Sequence, residues 1–295
     1  MKLGTRQSRL ALAQSGMVAR QLGADVELVR IDTEGDRLVD VPLQGPLAKG
    51  FFTEALESAL RDHSIDLAVH SLKDLPVDDS PGLVVAAVTE RAPAHDVLVV
   101  RADAVRHPGT GLPLSPGARV GSTSTRRQAL LRHHGRDLEV VPLRGNVTTR
   151  IDRLRQGRFD AIVLAEAGMR RLGPELDLSE VVAFRLGLGG WPCAPGQGAL
   201  AIQCRVDDVV ARERIAALHH PPTAAAVATE RGWLSLLGGG CTIPFGAFVS
   251  GERWSCVLAL DGVVVRSGAV TTGEPPWTRG AETPLTCEVL RVDSR

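Results

Sequence analysis

The chain has 295 residues, 44% hydrophobic and 23% charged, with 34 basic side chains against 34 acidic ones. Zero net charge argues against a general nucleic-acid or membrane-surface binder, and no apolar run approaches the ~18 residues that a membrane span needs. In the start, Met1-Lys2-Leu3-Gly4-Thr5-Arg6, no apolar stretch of the secretory kind is visible, and the cysteine usage leads to the expectation of a reducing, cytoplasmic environment. The five cysteines, Cys193, Cys204, Cys241, Cys256 and Cys287, form no C-x-x-C pair and are odd in number. Neither a zinc site nor a disulfide framework is expected, and no metal site is assigned. Of the 34 basic residues only Lys2, Lys49 and Lys73 are lysines, so each lysine stands out against an arginine default.

The first 200 residues alternate apolar runs with helical patterns, the mark of α/β architecture. Residues 26–31 read as a strand. Phe52, Ala55, Leu56, Ala59 and Leu60 recur at helical spacing and share one face. Strands follow at 67–70, 83–88 and 96–101. A loop with Pro108, Gly109, Gly111, Pro113, Pro116 and Gly117 is a candidate domain crossing. A second α/β block has strands at 119–121, 140–143 and 161–165. Between the last two, Asn146 can cap a helix that buries Val147, Ile151 and Leu154 and stops at Gly157. A strand at 199–203 follows the turn-rich Pro192-Cys193-Ala194-Pro195-Gly196-Gln197-Gly198. From Pro221 the texture changes. An Ala-rich helix over 223–237 runs into Gly238-Gly239-Gly240-Cys241, and strands at 257–260 and 263–266 complete a small α+β region.

The two blocks echo each other. Leu3-Gly4-Thr5-Arg6-Gln7-Ser8-Arg9 and Val120-Gly121-Ser122-Thr123-Ser124-Thr125-Arg126-Arg127 each give a strand end, a glycine, a hydroxyl-rich turn and an arginine-bearing helix start. Helix N-termini present unpaired N–H groups and a positive dipole end, so two such ends facing one cleft would bind anions. Ser8 and Ser124 read equally well as plain N-caps. Between Arg119 and Arg171 twelve arginines stand against five acids. A one-signed block in a neutral chain suggests a polyanionic ligand, which guanidinium forks grip through carboxylates or phosphates. Arg126, Arg127, Arg144 and Arg150 sit at strand-to-helix junctions, where a cleft would lie. Arg153, Arg155 and Arg158 read as solvated helix surface.

In His70-Ser71-Leu72-Lys73-Asp74-Leu75-Pro76, Lys73 and Asp74 follow a buried strand at the end where open α/β sheets place their ligands. A carboxylate beside a cation there can move protons; the alternative is a surface turn before Pro76. Cys241 on its glycine loop suits a covalent role better than a thiol inside a strand does.

These motifs resemble the porphobilinogen deaminase (hydroxymethylbilane synthase) family. The resemblance is carried by Thr5-Arg6-Gln7-Ser8, Asp66-Leu67-Ala68-Val69-His70-Ser71-Leu72-Lys73-Asp74-Leu75-Pro76 and Gly121-Ser122-Thr123-Ser124-Thr125-Arg126-Arg127-Gln128. It continues through Leu143-Arg144-Gly145-Asn146-Val147, Ala194-Pro195-Gly196-Gln197-Gly198-Ala199 and Gly239-Gly240-Cys241-Thr242-Ile243-Pro244. It implies an α/β fold of two lobes like type II periplasmic binding proteins plus a small α+β C-terminal domain. The implied division is lobe one over 1–96 and 195–217, lobe two over 97–194 and the third domain over 218–295. The implied reaction joins four porphobilinogen units with loss of ammonia and yields hydroxymethylbilane for tetrapyrrole (haem) biosynthesis. The implied primer is a dipyrromethane cofactor held by a thioether to Cys241.

By the same resemblance Asp74 is the catalytic carboxylate, stabilising electron-poor pyrrole cations. Lys73, Ser122, Thr123, Ser124, Arg126, Arg127 and Arg144 hold the cofactor's acetates and propionates. Arg6, Ser8, Gln14, Lys49, Arg144, Arg150 and Arg171 serve the substrate. The expected partner is porphobilinogen, with no nucleic acid and no membrane, and the chain is expected to act as a monomer. One departure is Gly45, in Leu43-Gln44-Gly45-Pro46, which stands where the family carries a lysine. The competing readings are a two-lobed binding protein for a small anion, for which Gly-Gly-Gly-Cys has no use, and an inactive paralogue, against which Asp74 and Cys241 weigh.

Overall fold

The computed structural model describes residues 1–33, 53–78, 80–106, 111–135, 137–239, 243–260, 262–269, 276 and 281–290. The chain opens with β1 (Lys2–Arg6), α1 (Arg9–Leu22), β2 (Glu27–Ile31), α2 (Glu54–Arg61), β3 (Leu67–Ser71), a 3-10 turn (Leu72–Asp74) and β4 (Leu83–Val88). It continues through β5 (Asp96–Arg101), β6 (Arg119–Gly121), α3 (Thr125–His134), β7 (Glu139–Val141), α4 (Val147–Arg155), β8 (Ala161–Ala165), α5 (Glu166–Leu172) and β9 (Val181–Leu186). Then come β10 (Leu200–Arg205), α6 (Val209–Ile215), α7 (Pro221–Leu236), β11 (Phe245–Ser250), β12 (Arg253–Leu258), β13 (Val264–Ala269), β14 (Ala281–Glu282) and β15 (Cys287–Val289).

Contacts divide this chain into two units, Met1–Ala92 with Gly198–Cys241 and Pro93–Gln197 with Thr242–Arg295. The first holds a five-stranded sheet in the order β2-β1-β3-β10-β4. β1 runs parallel to β2 and β3, and β10 runs antiparallel to β3 and β4. The second holds a six-stranded sheet in the order β15-β9-β5-β8-β6-β7. Here β6 runs parallel to β7 and β8, β5 antiparallel to β8 and β9, and β15 is an added edge strand on β9. Without β15 the two sheets are one diagram, with β7-β6-β8-β5-β9 repeating β2-β1-β3-β10-β4. In each the single antiparallel strand follows a crossing of the chain, at 92/93 for β5 and at 197/198 for β10. The expected α/β class of two similar lobes is what these sheets show.

Burial explains why these runs become strands. β3, β5 and β8 carry near-continuous apolar residues that are buried along almost their whole length, as strands covered on both faces must be. The echo seen in the sequence is structural as well. Ser8 caps α1 by accepting from the Ala11 N–H at 3.3 Å, and Ser124 caps α3 by accepting from the Arg127 N–H at 3.4 Å. The plain N-cap role is thus real for both serines. Asn146 stands at the N-cap of α4 without a side-chain bond. Gly157 follows that helix at φ +74°, a left-handed conformation that favours glycine.

The Pro/Gly-rich stretch 108–117, expected as a crossing, falls within the second unit between β5 and β6. The contacts also divide the stretch 218–295. Val227 of α7 packs with Leu72, Leu75, Val88, Ala199 and Ala201 of the first unit. The four-stranded antiparallel sheet β11-β12-β13-β14 goes with the second. No helix among the described residues is long and apolar enough to cross a membrane.

Candidate active site

In the first unit the parallel pairing of β1 and β3 brings their C-terminal ends to one edge of the sheet, so Arg6 and the Lys73–Asp74 turn share that edge. Leu72 and Leu75 are buried at 3% and 8% exposure, whereas Lys73 is half-buried and Asp74 exposed. The apolar pair turns inward and the carboxylate is presented outward. Gln14, buried on α1, donates from Nε2 to Ser71 Oγ at 2.8 Å. Beneath the turn lies His70, whose Nε2 is 3.0 Å from Gln203 Oε1. Gln203 spends its own amide N–H on Glu57 Oε1 at 3.2 Å. Its carbonyl must therefore accept from the His70 Nε2–H, so a neutral His70 ring carries its one proton on Nε2. Burial pushes the His70 pKa down to about 4, against the opposing influence of Glu57. The turn is also held from α7. Arg231 donates from Nη1 to the Leu72 and Leu75 carbonyls at 3.2 and 3.0 Å and from Nη2 to the Pro76 carbonyl at 2.5 Å.

In the second unit the corresponding edge carries Ser122, Thr123 and Ser124 between β6 and α3. Ser122 Oγ accepts from the Ser124 N–H at 3.3 Å, and Thr123 Oγ1 donates to the Leu143 carbonyl at 3.1 Å. Arg126 and Arg127, at 4% and 6% exposure, both turn to a carboxylate that the sequence reading overlooked. Arg126 Nη2 lies 2.8 Å from Asp96 Oδ2. Arg127 reaches Asp96 through Nη2 at 2.6 Å and Nε at 3.2 Å, and donates from Nη1 to the Val163 carbonyl. Asp96 is wholly buried and also accepts from Trp191 Nε1 at 3.0 Å and Gln197 Nε2 at 2.9 Å. Burial alone would raise its pKa, but the two guanidiniums outweigh that and hold the carboxyl well below the usual range. Two cations share one anion here, so the cluster carries one positive charge in excess.

Arg150 donates from Nε to the Gly145 carbonyl at 2.7 Å, and Arg153 to the Arg144 carbonyl at 3.0 Å. These bonds order the junction of β7 and α4. Arg171 stands in the last turn of α5, where burial draws its pKa down to about 10. The first unit thus brings together Arg6, Ser8, Gln14, Lys73 and Asp74, and the second brings together Ser122, Thr123, Ser124, Arg126, Arg127, Arg144 and Arg150. Lys49, Gly45, Pro46 and Cys241 lie outside the described residues. Among the described residues no group of three or more His, Cys, Asp or Glu is placed to hold a metal ion.

Residues 1–213 match the family model described as "Porphobilinogen deaminase, dipyromethane cofactor binding domain". The chain belongs to the porphobilinogen deaminase family. It is 44% identical over 268 residues to the porphobilinogen deaminase of Gloeobacter violaceus, covering 89% of this chain and 80% of that one. It is 41% identical over 300 residues to that of Geobacter sulfurreducens, covering 99% and 89%. With that of Moorella thermoacetica it shares 42% over 295 residues, covering 96% and 91%. Among solved structures, a periplasmic binding protein from Brucella ovis with glutathione bound aligns at TM-score 0.44 and 13% identity, covering 79% of this chain and 69% of that one. A probable amino-acid transporter extracellular-binding protein from Bacillus subtilis aligns at 0.41 and 13%, covering 81% and 97%.

Membership of the porphobilinogen deaminase family makes the chain an enzyme of the transferase class. What the motifs did not reveal is how Arg126, Arg127 and the Lys73–Asp74 turn are supported. Asp96 opens a strand whose next four residues are apolar, and a charge heading such a run was the available signal. Arg231 and His70 gave none, because their partners lie far off in sequence.

Proposed function

We propose that this chain carries out the porphobilinogen deaminase reaction with Asp74 as its catalytic carboxylate. In that reaction four porphobilinogen units are joined head to tail with release of ammonia, and water frees hydroxymethylbilane. The observation that carries the reading is the Asp74 carboxylate itself. It stands exposed on a 3-10 turn whose apolar residues are buried, at the C-terminal end of a central strand. A carboxylate so placed can take up and return the protons of deamination. It can also stabilise the cation left when the substrate loses ammonia, since a fixed charge aimed at developing charge is the largest common catalytic contribution.

The chemistry of the donors fits a dipyrromethane, which carries carboxylates. We assign its acetates and propionates to Lys73, Ser122, Thr123, Ser124, Arg126, Arg127 and Arg144, and the excess positive charge around Asp96 supports that choice. When bound, the cofactor supplies the end from which the chain of pyrroles grows. Cys241 is assigned as its thioether anchor, on the evidence of its glycine loop. Arg6, Ser8, Gln14, Lys49, Arg144, Arg150 and Arg171 are assigned to the incoming substrate, whose own carboxylates need cations. We further propose a monomer working in the cytoplasm on porphobilinogen, without nucleic acid or membrane partners. We retain three domains with bounds 1–96 and 195–217, 97–194, and 218–295. The support for the third is the distinct sheet order of β11-β12-β13-β14, although contacts group 218–241 with the first unit and 242–295 with the second.

Single-turnover ammonia release from porphobilinogen tests Asp74. Asp74→Asn keeps size and removes charge, so its rate should fall by ~10²–10³, while Asp74→Glu should retain part of the activity. Circular dichroism of both variants checks the fold. A folded Asp74→Asn enzyme releasing ammonia at close to the wild-type rate would overturn the assignment. The search would then move to Asp36, which lies outside the described residues.

A further inference from the structure

A three-residue 3-10 turn has little stability of its own, because its hydrogen-bond geometry is poor and its length short. The turn that carries Lys73 and Asp74 makes one internal bond, from the Leu75 N–H to the Leu72 carbonyl at 3.2 Å. It cannot extend into a longer helix. Pro76 disfavours helical backbone at Leu75, which is extended at φ −75° and ψ 136°, and Pro76 brings no N–H of its own. Yet the position of Asp74 has to be sharp if its carboxylate is to meet a reacting pyrrole. Something outside the turn must fix it.

Two supports come from below. The Leu72 N–H donates to the Ala199 carbonyl at 3.1 Å, and the Leu72 and Leu75 side chains pack with Val88, Ala199, Ala201 and Val227. The third support is Arg231. Its planar fork meets the carbonyls of Leu72, Leu75 and Pro76, which bracket Lys73 and Asp74. A guanidinium presents its donors in a fixed plane, so three carbonyls bound to one fork are fixed relative to each other.

Arg231 is itself held in place by its helix. Its neighbour Glu230, wholly buried, takes a bidentate grip from Arg91 at 2.6 and 3.0 Å. The Arg91 N–H donates to Thr223 Oγ1 at 3.2 Å, and the His220 N–H at the helix start donates to the Val88 carbonyl at 2.8 Å. Beyond the helix the chain stays close to the same segment. A Cβ at Gly239 would come within 2.7 Å of Val77 Cγ2, at a backbone φ of +66° that already favours glycine.

We propose that Arg231 is a positioning residue for Asp74: its fork on three carbonyls locks the 3-10 turn and sets the direction of the carboxylate. The helix that carries Arg231 leads in sequence, through Gly238-Gly239-Gly240, to Cys241. One element therefore sets the catalytic carboxylate and precedes the cofactor's anchor. This rests on Asp74 being the catalytic carboxylate.

The test uses holoenzyme of wild type, Arg231→Leu and Arg231→Lys, with Asp74→Asn alongside. Intact mass reports cofactor loading, steady-state kinetics separate kcat from KM, and hydrogen–deuterium exchange reports the amides of Leu72 and Leu75. Arg231→Leu should load cofactor and keep KM within about threefold, while kcat falls by ~10²-fold, the scale expected of a misplacement near 1 Å. Exchange at Leu72 and Leu75 should quicken. Arg231→Lys, which keeps charge and donors but not the plane, should recover part of kcat. Wild-type kcat in Arg231→Leu overturns the proposal, and so does unchanged exchange in the turn. If Arg231→Leu fails to fold, a wild-type kcat in Arg231→Lys together with unchanged exchange overturns it equally. Full activity in Asp74→Asn would strike the reading of Asp74 itself. An inactive Asp74→Asn beside a fully active Arg231→Leu would strike only the positioning role.

Discussion

His70 shows how much one buried residue near the site is asked to do. It lies under the Lys73–Asp74 turn, and Glu57 fixes its tautomer through Gln203. Burial holds its pKa near 4, with Glu57 and Gln203 pulling upward and Arg6 downward. The unfolded histidine titrates near 6.5. Between pH 6.5 and 4 the unfolded chain therefore binds a proton that the folded chain refuses. Stability rises with pH across that window and is lost as pH falls, at up to ~1.4 kcal/mol per pH unit for this one group. His70→Asn removes the titration, so the difference in unfolding free energy between wild type and variant should shrink as pH falls from 6.5 toward 4.5. Urea unfolding at several pH values reads it. A difference independent of pH would mean that His70 is protonated in the folded state across that window, and that burial does not hold its pKa down.

Among the elements, α3 best separates what the sequence made legible from what it concealed. Its start was visible: a glycine, a hydroxyl-rich turn, a capping serine and two arginines, as at α1. Buried strands β5 and β8 were visible too, because strands covered on both faces must be apolar throughout. The destination of the two arginines was not. Arg126 and Arg127 are used by Asp96, roughly thirty residues earlier, together with Trp191 and Gln197, and no local pattern encodes a contact across that distance. Part of the one-signed arginine block is likewise taken up internally: Arg155, read as solvated surface, pairs with Asp177, and Arg170 pairs with the buried Glu166, which Arg185 beyond the block also holds. Removing the charge of Asp96 leaves two buried guanidiniums facing an amide. Breaking a buried pair in this way costs ~3–5 kcal/mol, so Asp96→Asn should lower the melting temperature by many degrees. Asp103→Asn, which breaks the exposed pair with Arg101, should cost ~1 kcal/mol or less. Calorimetry of the two variants decides it: equal, small shifts would show that the Asp96 cluster contributes no more than a surface pair.

On the scale of the whole chain, one strand order is used twice and the chain crosses between its two units to complete each copy. A repeated scaffold gives two similar sets of strand ends, and the cysteines bear on where covalent chemistry can occur. Cys193, Cys204 and Cys256 are buried. Cys193 donates from Sγ to the Ala247 carbonyl at 3.3 Å. Burial pushes the Cys204 thiol up, the Cys256 thiol up to about 12, and that of the half-buried Cys287 up to about 11. The thiolate is the reactive form, so the raised pKa values of Cys204, Cys256 and Cys287 and the burial of Cys193 weigh against a covalent role for them. That leaves Cys241 as the candidate the described residues do not disqualify, in agreement with its glycine loop. Purified enzyme should accordingly be heavier than its sequence by one dipyrromethane and react with Ehrlich's reagent. Cys241→Ser should weigh no more than its sequence. Peptide mapping should find the extra mass on the Cys241 peptide alone, and brief alkylation of cofactor-free enzyme should label the same residue first. An adduct on Cys193 or Cys204 would falsify the assignment, because it would require a buried thiol to open to solvent before reacting.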